Sequence, residues 1–469
     1  MELIEELRRL LGATQVLCGA DAARYGRDWT GQYEWTPLAV LRPGSTAEVS
    51  AVMRLAHAAR VPVVPVSGHT GLTGGTVAEG ALMLSLERMN RIREIRRSAR
   101  TAVVEAGVVL ATLHEEVGKL GLSFPLMFGA RGSAMIGGAL STNAGGSNVL
   151  RYGNTRALCL GLEVVLADGR ILDLQSALHK DNSGYDLRDL FIGAEGTLGI
   201  ITGAVLKLVP APRAYATAMV ATADLGVALD LLNRLQEATA GLVEAFEYMP
   251  RAYMRRLLAR KPEMRAPFAQ EHDVNILVEI ASTSPRDAHP REDGSIPLVT
   301  LLEETLFDLA ESGAVLDAVV ARSDAQRSEM WARREAAAEI TLGQSPIVDT
   351  DVAVPLDLVA RFETEVRVRI AALDPQAETL SIAHLGDGNL HFTIFPTDGD
   401  PVFKDRLRET VEDVVALLGG SFSAEHGIGT SKKPTMARRK DPVVLEVMRS
   451  LRKALDPEGI LNPGKVLPD

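Results

Sequence analysis

Residues 36–75 alternate apolar and polar segments in the order strand, helix, strand and loop. Residues 38–41 form a short apolar run, and Ser45 or Thr46 can cap a helix over residues 47–59. Residues 61–65 are again apolar and rich in valine, and a glycine-rich loop follows them. This order predicts that the loop begins at the end of a strand.

The next 135 residues continue the mixed pattern. Residues 81–110 alternate strand-like segments with charged turns, and residues 111–120 have helical spacing. Residues 160–166 form an apolar run that Asp168-Gly169 follows as a hairpin turn. The glycine-rich character stops near residues 210–212, Pro-Ala-Pro, which predicts a domain boundary there.

Residues 213–415 have a different pattern, in which strands such as 274–280 alternate with long amphipathic helices. We place these helices near residues 225–240, 324–340, 355–373 and 401–418. The pattern predicts an α+β unit whose antiparallel sheet is covered by helices on one side. Residues 284–296, rich in Pro, Asp, Arg and Gly, are predicted to form an exposed loop. The chain therefore divides into residues 1–212, 213–415 and 416–469.

Composition narrows the classes of function. A chain of 469 residues can hold two or three domains, and its net charge of −11 argues against a nucleic-acid partner, which needs a basic face. Two cysteines, Cys18 and Cys159, exclude a disulfide framework and an iron–sulfur cluster held by this chain. Residues 1–11 have the spacing of an amphipathic helix, with no signal-peptide pattern, and no apolar stretch reaches the length of a membrane span. We expect a cytoplasmic protein, with peripheral association at the inner membrane left open.

Two glycine-rich stretches lie about sixty residues apart, at residues 65–75 and 132–146. Glycine lets backbone amides approach an anion without a Cβ between them, and Ser and Thr add hydroxyl donors. Neither stretch fits G-x-G-x-x-G, so a Rossmann dinucleotide site is unsupported. The two stretches together indicate a flavoenzyme.

The segment from His384 to His391 is a candidate metal site. If Asp387-Gly388 is a two-residue hairpin turn, His384 lies directly opposite His391 on one face, with Cβ atoms about 5 Å apart. Two imidazoles so placed can bind one divalent metal, and Glu425 could add a carboxylate. A tight turn with two partly buried histidines explains the same residues.

Two further groups are candidates for catalysis. Glu425-His426-Gly427 places an acid beside a base whose ordinary pKa suits proton abstraction at neutral pH. Arg334 lies on a predicted helix and could bind a substrate carboxylate bidentately. A surface Glu-His turn and a solvated charged helix face are the alternative interpretations.

These motifs together resemble the FAD-linked oxidase family with the vanillyl-alcohol-oxidase (PCMH) type of FAD domain. The similarity is stronger to its D-2-hydroxyacid dehydrogenase branch, which includes D-2-hydroxyglutarate and D-lactate dehydrogenases. It covers about residues 20–467 and includes, besides the motifs above, residues 124–126, 150–153, 162–169, 193–202 and Asn462-Pro463-Gly464-Lys465. The resemblance implies an α+β fold. A two-subdomain FAD-binding domain (1–212) would carry an inserted cap domain that binds substrate (213–415), and a C-terminal segment (416–469) would return to complete the active site.

The resemblance also implies roles for individual residues. FAD would contact Pro65, Ser67, Gly68, His69, Thr70, Gly71, Gly74, Gly132, Ser133, Ile136, Gly137, Gly138, Thr142, Asn143, Gly145, Gly146, Tyr152, Glu195, Gly196, Ile200 and Asn462. Glu195, Gly196 and Ile200 would lie on the adenine side. His384, His391 and Glu425 match the family's metal ligands, usually zinc, while His426 matches its base and Arg334 its carboxylate-binding arginine. Metal and Arg334 would anchor a D-2-hydroxy acid, His426 would take the hydroxyl proton, and C2 would pass hydride to flavin N5.

Three positions depart from the hydroxyglutarate enzymes. Ala338 stands where they often have Thr, Asp349 where they often have Lys, and Thr393 where they often have Asn. All three changes remove polar or positive groups, and an acid at Asp349 could repel a distal carboxylate. We therefore expect a monocarboxylic, D-lactate-like substrate, with D-2-hydroxyglutarate as the alternative.

His69 is a further departure, because hydroxyacid members usually have Gly or Asn at this point. Distant relatives with this FAD domain carry a flavin-linked histidine here, so covalent FAD is one hypothesis. A histidine that donates to the pyrophosphate or ribose is the other.

Three rival interpretations remain. The chain could be the flavoprotein subunit of a multi-component glycolate-oxidase-type complex, an oxygen-using alcohol oxidase of the same fold, or a flavin-binding protein without turnover. Reduction of a dye by the purified protein alone would argue against the multi-component subunit. Peroxide yield under air separates an oxidase from a dehydrogenase. The sequence leaves open the electron acceptor (a quinone, an electron-transfer flavoprotein or a cytochrome), the metal and the oligomeric state, with a homodimer among the options.

Overall fold

The computed structural model describes residues 2–468 and shows two compact units. The first unit contains residues 1–145, 153–210 and 425–469, and the second contains residues 146–152 and 211–424.

The strands in chain order are β1 Val16–Leu17, β2 Ala39–Leu41, β3 Val63–Val66, β4 Leu82–Ser85, β5 Ile92–Arg96, β6 Thr101–Glu105, β7 Leu122–Ser123, β8 Cys159–Val165, β9 Ile171–Leu174, β10 Ile200–Lys207, β11 Val209–Pro210, β12 Ala214–Thr222, β13 Val243–Pro250, β14 Val274–Ser282, β15 Val315–Val320, β16 Val348–Ala353, β17 Glu378–His384 and β18 Asn389–Phe395.

The helices are α1 Glu2–Leu11, α2 Thr46–Ala59, α3 Leu110–Gly118, α4 Ile136–Thr142, α5 Val149–Tyr152, α6 Arg188–Phe191, α7 Leu225–Ala238, α8 Arg251–Arg260, α9 Pro285–Ala288, α10 Pro297–Glu311, α11 Asp324–Glu335, α12 Ala337–Leu342, α13 Val359–Leu373, α14 Pro401–Leu417, α15 Lys433–Arg439 and α16 Pro442–Leu455. Short 3₁₀ turns cover Ala13–Gln15, Gly19–Tyr25, Gly129–Gly132 and Leu356–Leu358.

A four-stranded sheet in the first unit, in the order β1-β2-β4-β3, positions the first glycine-rich loop. Strands β2 and β3 both run parallel to β4, and α2 connects them. The helix begins as predicted, because the Ser45 side chain accepts a hydrogen bond from the Glu48 amide. The chain returns to this sheet near its C-terminus, where Leu461 bridges to Val63 beside the loop.

A five-stranded antiparallel sheet, in the order β5-β6-β10-β8-β9, forms the other main sheet of the first unit. Its central strand β10 is buried along almost its whole length. The hairpin between β8 and β9 is present, with Gly169 in the left-handed region at φ 83°. Helix α4, which starts in the second glycine-rich stretch, packs against β10.

The second unit is built on a seven-stranded antiparallel sheet, in the order β15-β12-β14-β13-β17-β18-β16. Alternate residues of strand β12 enter two different apolar clusters, as the two-residue period of a strand requires. Ala218 and Val220 pack in one cluster, together with residues of α7, α10, α13 and α14. Met219 and Ala221 pack in the other, together with residues of α8, α11 and α12. The α+β prediction is confirmed, but the prediction that helices cover one side of the sheet is wrong.

The helix bounds differ in detail from the sequence expectation. The helix expected near 324–340 is interrupted at Ala336, which ends α11 and caps α12. The helix expected at 355–373 starts with a 3₁₀ turn and becomes α-helical at Val359. The loop expected at 284–296 is largely exposed and contains the single turn α9.

The unit boundaries also differ from the divisions at 212 and 415, for identifiable reasons. Residues 146–152 join the second unit, where the side chains of Arg151 and Tyr152 both donate to Glu244. Residues 416–424 join it because α14 extends to Leu417 and Ser421 then forms a β-bridge with Ala353. None of the helices within residues 2–468 is both long and apolar enough to cross a bilayer.

Candidate active site

The two glycine-rich stretches meet in the first unit, with their backbones in contact. A Cβ added to Gly68 would lie 2.2 Å from the carbonyl oxygen of Ser133, so any other residue would force the loops apart. A Cβ on Gly137 would lie 2.7 Å from the Ala106 Cβ and 3.3 Å from the Ser67 hydroxyl. The stretches separated by about sixty residues in the sequence are therefore parts of one structure.

Two more glycines allow close approach at the edge of this structure. Gly196 has φ 73°, and a Cβ there would lie 2.5 Å from the Pro65 ring. Gly74 has φ 70°, with the Tyr33 ring 3.1 Å from the position of a Cβ. Because both backbones are left-handed, side chains are disfavoured here by strain as well as by space.

His69 lies in the left-handed region at φ 57°, which explains why Gly or Asn suits this position. Its ring centroid lies 5.7 Å from that of Trp35. Its Nε2 is buried and has no hydrogen-bond partner among residues 2–468. Burial lowers the pKa of His69, with Asp28 acting in the opposite direction, so the neutral imidazole is favoured. Both hypotheses for His69, a covalent link and a hydrogen-bond donor, are compatible with this environment.

Several structural features of the first unit fit a dinucleotide cofactor. Among the buried polar atoms of this unit that lack partners within residues 2–468, two belong to residues predicted to contact the cofactor, His69 Nε2 and Asn462 Oδ1. A Cβ at Gly71 or Gly132 would meet nothing within 4 Å, so the backbone there is open. An open glycine backbone beside buried donors and acceptors without partners is what a pyrophosphate-containing ligand requires.

Glu195 holds the loop that follows His426. Its buried carboxylate accepts hydrogen bonds from the backbone amides of Ile428 (2.7 Å) and Gly429 (2.8 Å). Burial raises the pKa of Glu195, and the two amides oppose that rise by favouring the carboxylate. The Asn462 side chain donates to the Glu195 carbonyl at 2.7 Å and to the Gly75 carbonyl. Two residues predicted to contact the cofactor thus also connect the glycine loop to the His426 segment.

The remaining predicted cofactor residues have varied environments. The Thr142 hydroxyl donates to the Gly138 carbonyl, and Asn143 ends α4 in the left-handed region while accepting from the Arg156 amide. Ile136 and Ile200 are buried. The structure places Thr70 near Trp29, Gly145 at the end of the first unit, and Gly146 and Tyr152 in the second. Burial, followed by the carboxylate of Glu244, raises the pKa of the Tyr152 hydroxyl.

In the second unit, the pairing of β17 and β18 corrects the predicted hairpin. His384 is paired with Asn389, and His391 is paired with Ile382. The connecting loop is residues 385–388 rather than a two-residue turn, so the histidines are diagonal neighbours instead of direct partners. They still share one face, with ring centroids 5.5 Å apart.

A buried carboxylate that the sequence reasoning missed joins the metal and substrate candidates. Glu247 on β13 is paired with His384 on β17 and is 1% exposed. His384 Nδ1 lies 2.8 Å from one carboxylate oxygen, and Arg334 Nε donates to the other at 2.7 Å. Burial opposes ionisation of Glu247, but His384 and Arg334 outweigh it and hold its pKa below the ordinary value. The presence of two glutamates in the otherwise largely apolar run of residues 243–250, Val-Glu-Ala-Phe-Glu-Tyr-Met-Pro, was the available signal.

Because an ionised carboxylate only accepts, the hydrogen of the His384 ring lies on Nδ1. Nε2 of the neutral ring is then the atom with a lone pair, and Arg334 Nη2 lies 3.4 Å from it. A histidine whose other nitrogen donates to a carboxylate is the arrangement that orients metal-binding imidazoles.

Asp351 is a second acid that was not predicted as a site residue. It lies on β16 directly opposite His391, is 2% exposed, and has an oxygen 4.0 Å from His391 Nδ1. Its carboxylate accepts hydrogen bonds from the Asn389 side chain and from the Ala424 amide. Asp351 therefore anchors the residue that precedes Glu425 in the chain.

Glu425 and His426 begin the C-terminal part of the first unit. Their side chains are about one-fifth exposed, and Glu425 Oε1 lies 3.8 Å from His426 Nε2. The Glu195 contacts described above fix the segment that follows them. The pair is therefore accessible and held by its neighbours, as a base that reacts with a small molecule must be.

The residues that depart from the hydroxyglutarate pattern also have definite positions. Asp349 on β16 is paired with Thr393 on β18, whose hydroxyl donates to it at 2.8 Å. These two share the face of Asp351 and His391, about 7 Å further along the strands. Ala338 lies on α12, one turn after Arg334, and is exposed.

Comparisons with known proteins identify the family. A family model described as the C-terminal domain of FAD-linked oxidases matches residues 211–466, and one described as an FAD-binding domain matches residues 37–175. The chain belongs to the FAD-linked oxidase family, and it is an FAD-dependent oxidoreductase.

Curated relatives extend this assignment over nearly the whole chain. A D-2-hydroxyglutarate dehydrogenase from Xanthomonas citri pv. viticola is 37% identical over 453 residues, which are 95% of this chain and 93% of that protein. The mitochondrial enzyme of that name from Bos taurus is 36% identical over 94% of this chain and 79% of its own length. A D-2-hydroxyglutarate–pyruvate transhydrogenase from Saccharomyces cerevisiae is 30% identical over 95% of this chain and 90% of its own.

Solved structures confirm the PCMH-type fold. A p-cresol methylhydroxylase has a TM-score of 0.74 with 16% identity, covering 99% of this chain and 96% of its own. A 4-ethylphenol oxidase from Gulosibacter chungangensis has a TM-score of 0.72 with 19% identity, covering 100% and 97%. At this identity the likeness shows the fold alone.

Substitution of Glu195 tests its role in the His426 loop. In Glu195→Gln the side-chain oxygen can accept a hydrogen bond from one of the two backbone amides, those of Ile428 and Gly429. The side-chain NH₂ group then faces the other backbone N–H, so two donors meet. We expect a loss of about 2 kcal/mol, because buried hydrogen bonds to a charged group contribute about that much. For a unit of about 250 residues, the size of the first unit, the melting temperature should fall by a few degrees, about 2–4 °C per kcal/mol. Thermal unfolding followed by circular dichroism measures it, and an unchanged melting temperature would contradict the role.

Proposed function

We propose that the chain is an FAD-dependent D-2-hydroxyacid dehydrogenase that oxidises a monocarboxylic D-2-hydroxy acid to the 2-oxo acid. Family membership and the activities named for the relatives support oxidation of a CH–OH group. The observation that carries the proposal is the contact of buried Glu247 with both His384 and Arg334. It places a guanidinium suited to a carboxylate beside an imidazole suited to a metal, and a 2-hydroxy acid carries a carboxylate beside its hydroxyl.

We assign a divalent metal to His384, His391 and Glu425, and the donor set favours zinc. Two imidazoles and a carboxylate form a donor set used by catalytic zinc, with a position left for substrate. The Glu247 contact fits this assignment, because it leaves Nε2 as the ligand atom of His384. When bound, such a metal supplies positive charge that lowers the pKa of a coordinated hydroxyl.

The glycine loops of the first unit and Asn462 would hold FAD, whose flavin N5 supplies the hydride acceptor. Arg334 binds the substrate carboxylate through its guanidinium, which Glu247 holds by the Nε–H. His426 accepts the proton of the C2 hydroxyl, and Glu425 next to it would be a ligand of the metal. A positioned base of this kind contributes about 10²–10⁴ to the rate. With the carboxylate held by Arg334 and the hydroxyl placed at His426, one face of C2 would be presented to the flavin, so one enantiomer would react.

Anaerobic reduction of the bound flavin tests the reaction and the metal together. We expect D-2-hydroxy acids to bleach the visible flavin band, with L-enantiomers as the matched control. EDTA followed by gel filtration should abolish the bleaching while FAD stays bound, and zinc should restore it. Bleaching that resists chelation would contradict the metal assignment, and a flavin that no hydroxy acid bleaches would contradict the proposed function.

D-2-hydroxyglutarate is the second candidate substrate, because it is the one named for several relatives. Its distal carboxylate would have to be accommodated near the site. Asp349 lies on the same sheet face as His391, one strand repeat further on. Two like charges about 4 Å apart repel by about 1 kcal/mol in bulk water and by about 4 kcal/mol near a protein surface, so an exposed acid at Asp349 favours a substrate without a second carboxylate.

Exchange of Asp349 tests this preference. We expect wild-type kcat/KM for D-lactate or a longer monocarboxylic acid to exceed that for D-2-hydroxyglutarate by about 10-fold or more, as one such repulsion predicts. Asp349→Lys should raise the hydroxyglutarate value and narrow the ratio. Asp349→Asn, which removes the charge without adding a cation, should have a smaller effect. A wild type that clearly prefers hydroxyglutarate would contradict the proposal.

A further inference from the structure

We propose that Glu247 is a positioning residue that holds the metal-binding histidine and the substrate-binding arginine as one unit. It sets the ligand atom of His384 through one carboxylate oxygen and the orientation of Arg334 through the other. This inference rests on the proposed function, since it assigns a role toward the same metal and substrate.

The geometry supports a role beyond a structural ion pair. The two oxygens of Glu247 have different partners, with His384 Nδ1 at 2.8 Å and Arg334 Nε at 2.7 Å. Glu247 and His384 are register partners on neighbouring strands, so the backbone ladder itself sets their separation. Arg334 comes from a separate element, α11, and meets the pair from outside the sheet.

The contact of Glu247 with Arg334 Nε also determines which nitrogen atoms of Arg334 remain to bind the substrate. The guanidinium is planar, and contact through Nε leaves the edge formed by the two terminal nitrogens as its second bidentate edge. Arg334 Nη2 lies 3.4 Å from His384 Nε2. The guanidinium edge and the imidazole ligand atom are therefore neighbours, as a carboxylate and an adjacent hydroxyl on one molecule require.

A second buried glutamate, Glu279, contacts the same helix, α11, and provides a comparison for a purely structural role. Glu279 on β14 is 4% exposed and accepts from Arg327 and Trp331, both on α11. It also accepts from the Thr217 hydroxyl on β12. Glu279 thus resembles Glu247 in burial and in its bond to an arginine of α11, but the contacts given above are with an arginine, a tryptophan and a threonine instead of a histidine. It provides a matched control for structural loss.

Glu247→Gln disrupts the proposed role while preserving size. A glutamine oxygen can accept from one partner, but its NH₂ group then faces the other partner. If the NH₂ donates to His384 Nδ1, the ring hydrogen moves to Nε2 and the ligand atom is blocked. If the oxygen stays with His384, the NH₂ faces the Arg334 Nε–H and displaces the guanidinium. Either arrangement disrupts the joint positioning of His384 and Arg334 by residue 247.

The experiment compares the zinc affinity of Glu247→Gln, Glu279→Gln and wild type as full-length, FAD-loaded proteins. Affinity is measured by competition with a chromophoric chelator after metal removal, with melting temperature and flavin content recorded for each. We expect Glu247→Gln to bind zinc about 10–100-fold more weakly, the range found for partners of metal ligands. Glu279→Gln should bind within about threefold of wild type even if it loses comparable stability. With zinc saturating, Glu247→Gln should also raise KM for the hydroxy acid, since Arg334 is no longer held.

Equal zinc affinity of Glu247→Gln and wild type, or an equal loss in both glutamine variants, would overturn the inference. If Glu247→Gln fails to fold, Glu247→Asp replaces it. That variant keeps an ionised acceptor but withdraws it by about 1.5 Å, one carbon–carbon bond, so it cannot reach both partners. A loss of zinc affinity in the aspartate variant supports the inference, and an unchanged affinity overturns it. A wild type that binds no zinc and needs none for flavin reduction would instead defeat the proposed function itself.

Discussion

The burial of one negative charge is the constraint on which the candidate site depends. Glu247 is almost fully enclosed, and an isolated carboxylate in such a place would be expensive. It is stabilised because His384 and Arg334 each donate to one of its oxygens. Removal of one member of a buried charged group typically costs about 3–5 kcal/mol, so none of the three can change without affecting the others. The same two hydrogen bonds fix the tautomer of His384 and the orientation of one edge of the Arg334 guanidinium.

The first unit depends on a different constraint, the close approach of two backbones. Gly68 and Ser133 meet at a distance that no side chain permits, and Gly137 also packs closely against Ala106. The carboxylate of Glu195 then extends this framework to the amides that follow His426. The two glycine-rich loops are fixed by backbone contacts, which suits loops that must hold a phosphate-bearing cofactor in one conformation.

Much of the fold and of the candidate site could be predicted from the sequence, because glycine-rich loops and helix caps are local patterns. The helix over residues 46–59, the hairpin after β8 and the shared face of His384 and His391 all follow from residues close in the chain. The hairpin register was wrong because the turn is four residues long. The roles of Glu247 and Asp351 were missed because they depend on strand order. β13 lies beside β17, and β16 beside β18, only after distant segments have paired.

The most direct test of this account is a crystal structure of the zinc-loaded protein, with the metal located by its anomalous signal at the zinc edge. The account predicts a peak about 2.0–2.1 Å from Nε2 of His384 and from a ring nitrogen of His391, with His384 Nδ1 still donating to Glu247. Zinc bound at another position, or bound through Nδ1 of His384 with the Glu247 contact broken, would contradict it.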